Sequence, residues 1–155
     1  MTLKEKAYVL ASFAHNGQKD KTGEKYIYHP LAVASRLRTE EEQVVALLHD
    51  VAEDTVVTLD DLREEFGDRI ADALTALTHR EDEDYFSYID RVSKNPLAAR
   101  VKLADLNHNM EATRLDTITP WYLEHFQKYA KACEILLRSL CEDETATEKK
   151  SFRKR

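Results

Sequence analysis

Glycine and proline each occur only three times in the 155 residues, and cysteine twice. Sandwiches and barrels need many tight turns, and tight turns consume glycine and proline. Their scarcity points to helices joined by short loops. No apolar run approaches the roughly 20 residues of a membrane span. The opening Met1-Thr2-Leu3-Lys4-Glu5-Lys6 lacks the apolar centre of a secretory signal. Cys133 and Cys141 fall on one predicted helix, about 12 Å apart along its axis, too far for a disulfide. A reducing, cytoplasmic compartment is therefore expected. An excess of positive charge is also absent: 23 Lys and Arg stand against 29 Asp and Glu, for a formal net charge of -6. That argues against a nucleic-acid phosphate track. An anionic ligand would need a cation or a focused basic cluster.

What is present is 43% hydrophobic and 34% charged, enough for one domain with a proper core. The expectation is an all-α bundle with a single domain over residues 1–142. A charged tail at 143–155 lacks apolar spacing and is expected to be disordered. Residues 3–15 read as a first helix with Ala7, Leu10, Ala11 and Ala14 inward, closed by Asn16-Gly17. His15 is expected to be exposed at its end, and residues 18–25 to form a polar loop. Pro30 suits a first helical position, which puts His29 at the N-cap. Thr39 caps a helix whose first turn holds Glu40, Glu41 and Glu42. Thr58 and Asp61 form a capping box, and Phe66-Gly67 ends that helix. Residues 68–78 are amphipathic, with Ile70, Ala73, Leu74 and Leu77 inward. Residues 79–84 form a charged turn, a solvated loop in preference to a lip over a site. Asn95-Pro96 opens a central helix. Thr119-Pro120-Trp121 opens the last one, which runs to about Leu140 with Leu123, Phe126, Ala130, Cys133, Leu136 and Leu137 inward.

The densest chemistry lies in Ala46-Leu47-Leu48-His49-Asp50-Val51-Ala52-Glu53-Asp54-Thr55. An apolar helix here runs into one histidine and three carboxylates. On a continuous helix His49 would stack on Glu53 and Asp50 on Asp54. Burying so many ionisable groups is costly unless they are paired or bind a cation. A second informative stretch is Val101-Lys102-Leu103-Ala104-Asp105-Leu106-Asn107-His108-Asn109-Met110. Lys102, Asp105 and Asn109 can line one face there, and Asp105 needs either a salt bridge or a metal. Taken together, His29, His49, Asp50 and Asp105 are two imidazoles and two carboxylates from three helices, a set suited to one divalent transition metal. The absence of thiolates favours a harder ion such as manganese, with zinc, iron or magnesium as alternatives. Glu53 or Asp54 would take or orient the proton of a water beside it.

These runs resemble the HD-domain metal-dependent phosphohydrolases. More narrowly, they resemble the hydrolase domain of the RelA/SpoT group, which cleaves the 3′-pyrophosphate from the alarmone (p)ppGpp. Ala14-His15-Asn16-Gly17-Gln18, Gly23-Glu24-Lys25-Tyr26-Ile27-Tyr28-His29-Pro30, the 46–55 stretch, Phe66-Gly67 and the 101–110 stretch carry the match. The resemblance implies an HD-type helical bundle. It implies manganese ligands at His29, His49, Asp50 and Asp105, catalytic acids at Glu53 and Asp54, and substrate contacts at Asn109 and Lys102. Lys102 has a structural ion pair as its equal alternative. Three departures stand out. The loop Gln18-Lys19-Asp20-Lys21-Thr22 has no counterpart of the family arginine that packs on guanine, and lysine offers no equivalent flat face. Leu106-Asn107 replaces the family's Arg-Leu, and Ala112 stands where the family has threonine. The resemblance therefore implies a stand-alone enzyme that degrades (p)ppGpp to GDP or GTP and pyrophosphate. The alternatives are an HD phosphohydrolase acting on another nucleotide, and a catalytically silent nucleotide- or partner-binding domain. The expected partner is a small-molecule nucleotide, with no nucleic acid and no membrane, and a homodimer is allowed.

Overall fold

The structure, a computed structural model, describes residues 1–112 and 118–154. Arg155 and the side chain of Ala112 lie outside the described residues. The order is α1 (Leu3–Ala14), α2 (Tyr28–Ser35), α3 (Glu40–Leu48), α4 (Val51–Asp54), α5 (Leu59–Phe66), α6 (Asp68–Leu77), α7 (Tyr85–Ser93), α8 (Pro96–Ala112) and α9 (Pro120–Arg153). Among the described residues no strand forms. One isolated antiparallel bridge joins Lys19 to Lys25. The all-α expectation holds, and no helix is long and apolar enough to cross a membrane.

The core is built around α3. Val44, Val45, Ala46, Leu47 and Leu48 are all buried, and α1, α2, α6 and α8 pack around this helix. Five consecutive buried residues give α3 no solvent face over its second half, so it is a central rod rather than an amphipathic surface helix. Its start is fixed by a capping box. Thr39 Oγ1 accepts from the Glu42 amide at 3.2 Å, and Glu42 Oε2 accepts from the Thr39 amide at 3.2 Å. Glu42 is itself buried, and its Oε1 accepts from Arg100 Nε of α8 at 2.8 Å. One carboxylate therefore caps α3 and ties it to the helix that carries Asp105.

Several local signals act as read from the sequence. Thr58 and Asp61 form the second capping box, and Gly67 closes α5 with φ 87°. That is a left-handed conformation which only glycine adopts cheaply. Ile70, Ala73, Leu74 and Leu77 are buried. Asn95 Oδ1 accepts from the Ala98 amide at 3.0 Å as α8 begins. Residues 79–84 are exposed except Glu83, as a solvated loop should be, and Glu83 anchors the loop. Arg91 donates to both oxygens of Glu83, at 2.8 and 2.9 Å, and to the carbonyls of Thr75, Ala76 and Thr78.

Other expectations are corrected. His15 is buried rather than exposed, because α1 stops at Ala14 and the ring turns inward to bond Gln18 through Nδ1 at 2.8 Å. Helix α2 starts at Tyr28, so His29 lies inside its first turn and is not the N-cap. Tyr28 beside it is half exposed. The last helix does not stop near Leu140 but continues to Arg153. The Glu-, Lys- and Arg-rich segment after Leu140 has good helix formers and so extends the helix, yet no residue from Cys141 to Lys154 is buried. The inward face of α9 is also rotated. Ala132 and Leu136 are buried and Tyr129, Cys133 and Leu140 pack on the core. Leu123, Phe126 and Leu137 are exposed instead.

Glu42→Ala is expected to lower stability by about 1–2 kcal/mol through loss of the cap, read by urea unfolding. Burial pushes the Glu42 pKa up, but the amides of Thr39 and Arg38 and the Arg100 guanidinium outweigh it and hold it below the ordinary 4.5. The native state thus favours the ionised form. The contribution is fully present above about pH 4.5 and is lost as pH falls through the depressed native value, so the wild-type and variant curves should converge in acid.

Candidate metal centre

The helix expected to run through His49 and Asp50 breaks there. α3 ends at Leu48, and Asp50 takes φ -102° and ψ -3° before α4 begins. The break is held by side chains. His49 Nδ1 donates to Ala46 O at 2.5 Å, satisfying a carbonyl at the end of α3. Thr55 Oγ1 donates to Val51 O at 2.6 Å at the end of α4. The break interrupts the continuous helix on which that stacking was expected, although the Asp54 amide still donates to the Asp50 carbonyl one turn back at 3.0 Å. The break turns His49 and Asp50 toward α2 and α8.

There they meet the other two residues. His29 Nε2 lies 2.9 Å from Asp105 Oδ1, and His49 Nε2 lies 3.5 Å from the same oxygen. Among the described residues, His29, His49 and Asp105 form a group whose ligand atoms lie within 4.8 Å of one another. Asp50 adjoins it, with Oδ2 3.0 Å from His49 Nε2 and 3.9 Å from His29 Nε2. The four residues drawn from distant parts of the chain share one centre, and they could hold one divalent cation.

The chemistry of the donor atoms supports that fit. His49 Nε2 is buried and makes no hydrogen bond, although two carboxylates lie within 3.5 Å of it. Because Nδ1 donates to Ala46, a neutral imidazole turns a lone pair toward those carboxylate oxygens, an arrangement that needs positive charge between them. Burial alone would strip a proton from His49, yet Asp50 and Asp105 hold its pKa well above 6.5. A proton or a metal ion can meet that demand.

The surrounding residues hold the carboxylates ionised. Burial raises the Asp105 pKa, but Lys102, His29 and His49 outweigh it and keep the group well below 3.8. Lys102 Nζ is 2.8 Å from Asp105 Oδ2, an ion pair within one turn of α8. Asn109 Nδ2 donates to Asp105 Oδ1 at 3.3 Å. At Asp50 burial is outweighed by the neighbouring His49 charge and by the Tyr26 hydroxyl, and the pKa falls to about 2. The Tyr26 hydroxyl donates to Asp50 Oδ2.

Glu53 and Asp54 stand on the solvent side of this cluster, both exposed. Glu53 Oε1 accepts from the His79 amide. The Asp54 carbonyl accepts from Gln18 Nε2 at 2.9 Å. Partial desolvation by the surrounding protein first, and then neighbouring carboxylates, raise the pKa of both side chains. Two carboxylates of raised proton affinity beside a cation site suit proton transfer to or from water.

Three contributors escaped the sequence reading. Tyr26 bonds Asp50, and His15, expected at an exposed helix end, is buried with its ring 4.9 Å from that of Tyr26. His108 passed without a role. It sits one turn beyond Asp105 on α8 and meets His29 Nδ1 through its own Nδ1 at 2.7 Å. If His29 Nε2 is to face a cation with its lone pair, its Nδ1 carries the proton, and His108 must accept it. The spacing of His108 from Asp105 was the available signal. His108→Phe removes this acceptor and is expected to weaken Mn²⁺ binding about 10- to 100-fold, measured by titration calorimetry on the EDTA-treated protein.

An HD-domain family model matches residues 7–116. The chain is 38% identical over 145 residues to a GTP pyrophosphokinase of Streptomyces antibioticus, covering 85% of this chain and 16% of that protein. It is 40% identical over 117 residues to a guanosine-3′,5′-bis(diphosphate) 3′-pyrophosphohydrolase of Haemophilus influenzae, covering 66% of this chain and 17% of that protein. The chain thus spans about one sixth of the length of these curated relatives. The solved structure of a metazoan SpoT ortholog described as hydrolysing ppGpp superposes with a TM-score of 0.71 at 24% identity, over 90% of this chain and 86% of that one. That likeness shows a shared fold. With a family match spanning most of its length and the histidine–aspartate cluster assembled on these helices, this chain belongs to the HD-domain family.

Proposed function

We propose that the chain is a divalent-metal-dependent phosphohydrolase that removes the 3′-pyrophosphate of guanosine 3′,5′-bis(diphosphate). One observation carries the reading: the buried His49 Nε2, without a hydrogen-bond partner, faces Asp50 and Asp105 beside two carboxylates of raised pKa. The HD-domain match and relatives named as 3′-pyrophosphohydrolases support the substrate.

In this reading His29, His49, Asp50 and Asp105 are the metal ligands, and manganese is the ion the donor set favours. A divalent ion bound there lowers the pKa of water and neutralises phosphate charge. Glu53 accepts the proton of the attacking water, and Asp54 orients that water. The water oxygen bonds to the phosphorus carried by the 3′ oxygen, and the 3′ O–P bond breaks. The 3′ oxygen takes up a proton, and pyrophosphate leaves. Asn109 lies beside Asp105 at the ribose end. Lys102 keeps Asp105 ionised, and its ammonium adds positive charge near the phosphates.

The absence of the family arginine in the 18–22 loop favours a second reading, hydrolysis of another nucleotide by the same machinery. A nucleotide panel separates the two by product.

Incubation with ppGpp and Mn²⁺ is expected to release GDP and pyrophosphate, followed by chromatography, and EDTA should abolish the release. Glu53→Gln should lower kcat/KM about 10²- to 10⁴-fold. Glu53 must be ionised to accept a proton, and its pKa is raised above 4.5. Activity should therefore fall as pH drops through that raised value, giving an acid limb above the usual carboxylate range. Absence of any pyrophosphate release from metal-loaded protein would overturn the substrate assignment.

A further inference from the structure

A chain of contacts starts on Glu53 beside the metal centre, reaches α9, and returns to Asp54. From Glu53 it passes to His79, whose amide donates to it and whose ring lies 4.9 Å from Tyr88. Tyr88 leads to Tyr85 at 6.3 Å, and Tyr85 to Tyr129 of α9 at 6.4 Å. Along α9 the rings continue through His125 to Trp121. Lys21 Nζ lies 4.9 Å from the Trp121 ring centre. Lys21 is three residues from Gln18, which bonds back to Asp54. A fully extended run of three residues spans at most about 10 Å. Trp121 is therefore tied to the Glu53-Asp54 pair by both arms of this chain of contacts.

Trp121 is placed as an open aromatic surface. It is 48% exposed, a large ring that the fold leaves half in solvent. The His125 ring stacks on it at 3.9 Å and 26°, and is itself fixed by a bond from Nδ1 to Trp121 O at 2.8 Å. The imidazole fills one face and leaves the other to the ammonium of Lys21. That lysine sits at the tip of a braced finger. Asp20 Oδ1 accepts from the Thr22 amide, the Thr22 hydroxyl and the Glu24 amide, at 2.8, 2.7 and 3.1 Å. The finger is held, whereas the exposed lysine side chain can swing away.

We propose that Trp121 is the stacking surface for the nucleobase of the substrate, with the base replacing the Lys21 ammonium on its open face. This rests on the reading of the site as one that hydrolyses a nucleotide. A purine is flat, polarisable and close to indole in size, and stacking on aromatic side chains is the usual way a base is held without base-edge readout. The flat face missing from the 18–22 loop is thus supplied from α9. A platform of this kind selects for a base but only weakly between bases.

Trp121 is the only tryptophan in the chain, so its fluorescence reports on this surface directly. EDTA-treated wild-type protein titrated with ppGpp should show saturable quenching, while inorganic pyrophosphate should leave the emission unchanged. In the Mn²⁺-dependent assay Trp121→Ala should raise KM about tenfold, with the loss falling on KM rather than kcat. Trp121→Phe, which keeps a flat ring, should restore most of it. An unchanged KM in Trp121→Ala, or equal quenching by pyrophosphate, overturns the platform and leaves the hydrolase reading standing. A wild-type protein that does not hydrolyse ppGpp overturns that substrate instead. The platform is then decided by GDP and ADP against pyrophosphate: quenching by the nucleotides alone supports it, and quenching by neither overturns it.

Discussion

A lone pair facing carboxylates inside a protein is unfavourable unless positive charge lies between them, and that is the situation of His49 Nε2. Its other nitrogen is committed to Ala46 at 2.5 Å, so the ring cannot turn away. Asp50 and Asp105 lie 3.0 and 3.5 Å from the exposed lone pair. Removing such groups from water costs several kcal/mol each unless they are compensated. The fold meets this cost with neighbours that keep both acids ionised and with a geometry open to a cation.

The remainder of the bundle serves that arrangement. α3 is buried over its second half and cannot shift without disturbing every helix around it. Glu42 ties its start to α8 through Arg100, so the helices bearing His49 and Asp105 are held to each other at a point remote from the site. Lys102 and Asn109 position Asp105 from within its own helix, Tyr26 positions Asp50, and His108 positions His29. Each of these candidate ligands has a second partner that fixes its orientation, the arrangement that keeps a site ready for an ion of defined geometry.

The sequence was most legible where a local interaction decides the structure. The cap at Thr39, the capping box at Thr58, the glycine stop at Gly67 and the Asn95-Pro96 start each involve residues within one turn, and each is present. The four ligand candidates were legible because histidine and aspartate in apolar surroundings demand compensation wherever the chain goes. Tertiary competition hid the rest. The chain from Ala46 to Thr55 has the composition of an unbroken helix, and only the pull of α2 and α8 on His49 and Asp50 explains the break. His15 looks like a polar helix end, but Gln18 and Tyr26 draw it inward. On α9 apolar residues occur on more than one face, so periodicity alone did not separate the buried Ala132 and Leu136 from the exposed Phe126 and Leu137.

The central claim is that His29, His49, Asp50 and Asp105 close on a single divalent ion. Anomalous diffraction at the manganese absorption edge, from crystals of the full chain grown with Mn²⁺, tests it most directly. The account requires one peak within bonding distance of His29 Nε2, His49 Nε2 and a carboxylate oxygen from each of Asp50 and Asp105. A map at saturating Mn²⁺ with no peak among these four side chains, or with the ion held elsewhere, would contradict it.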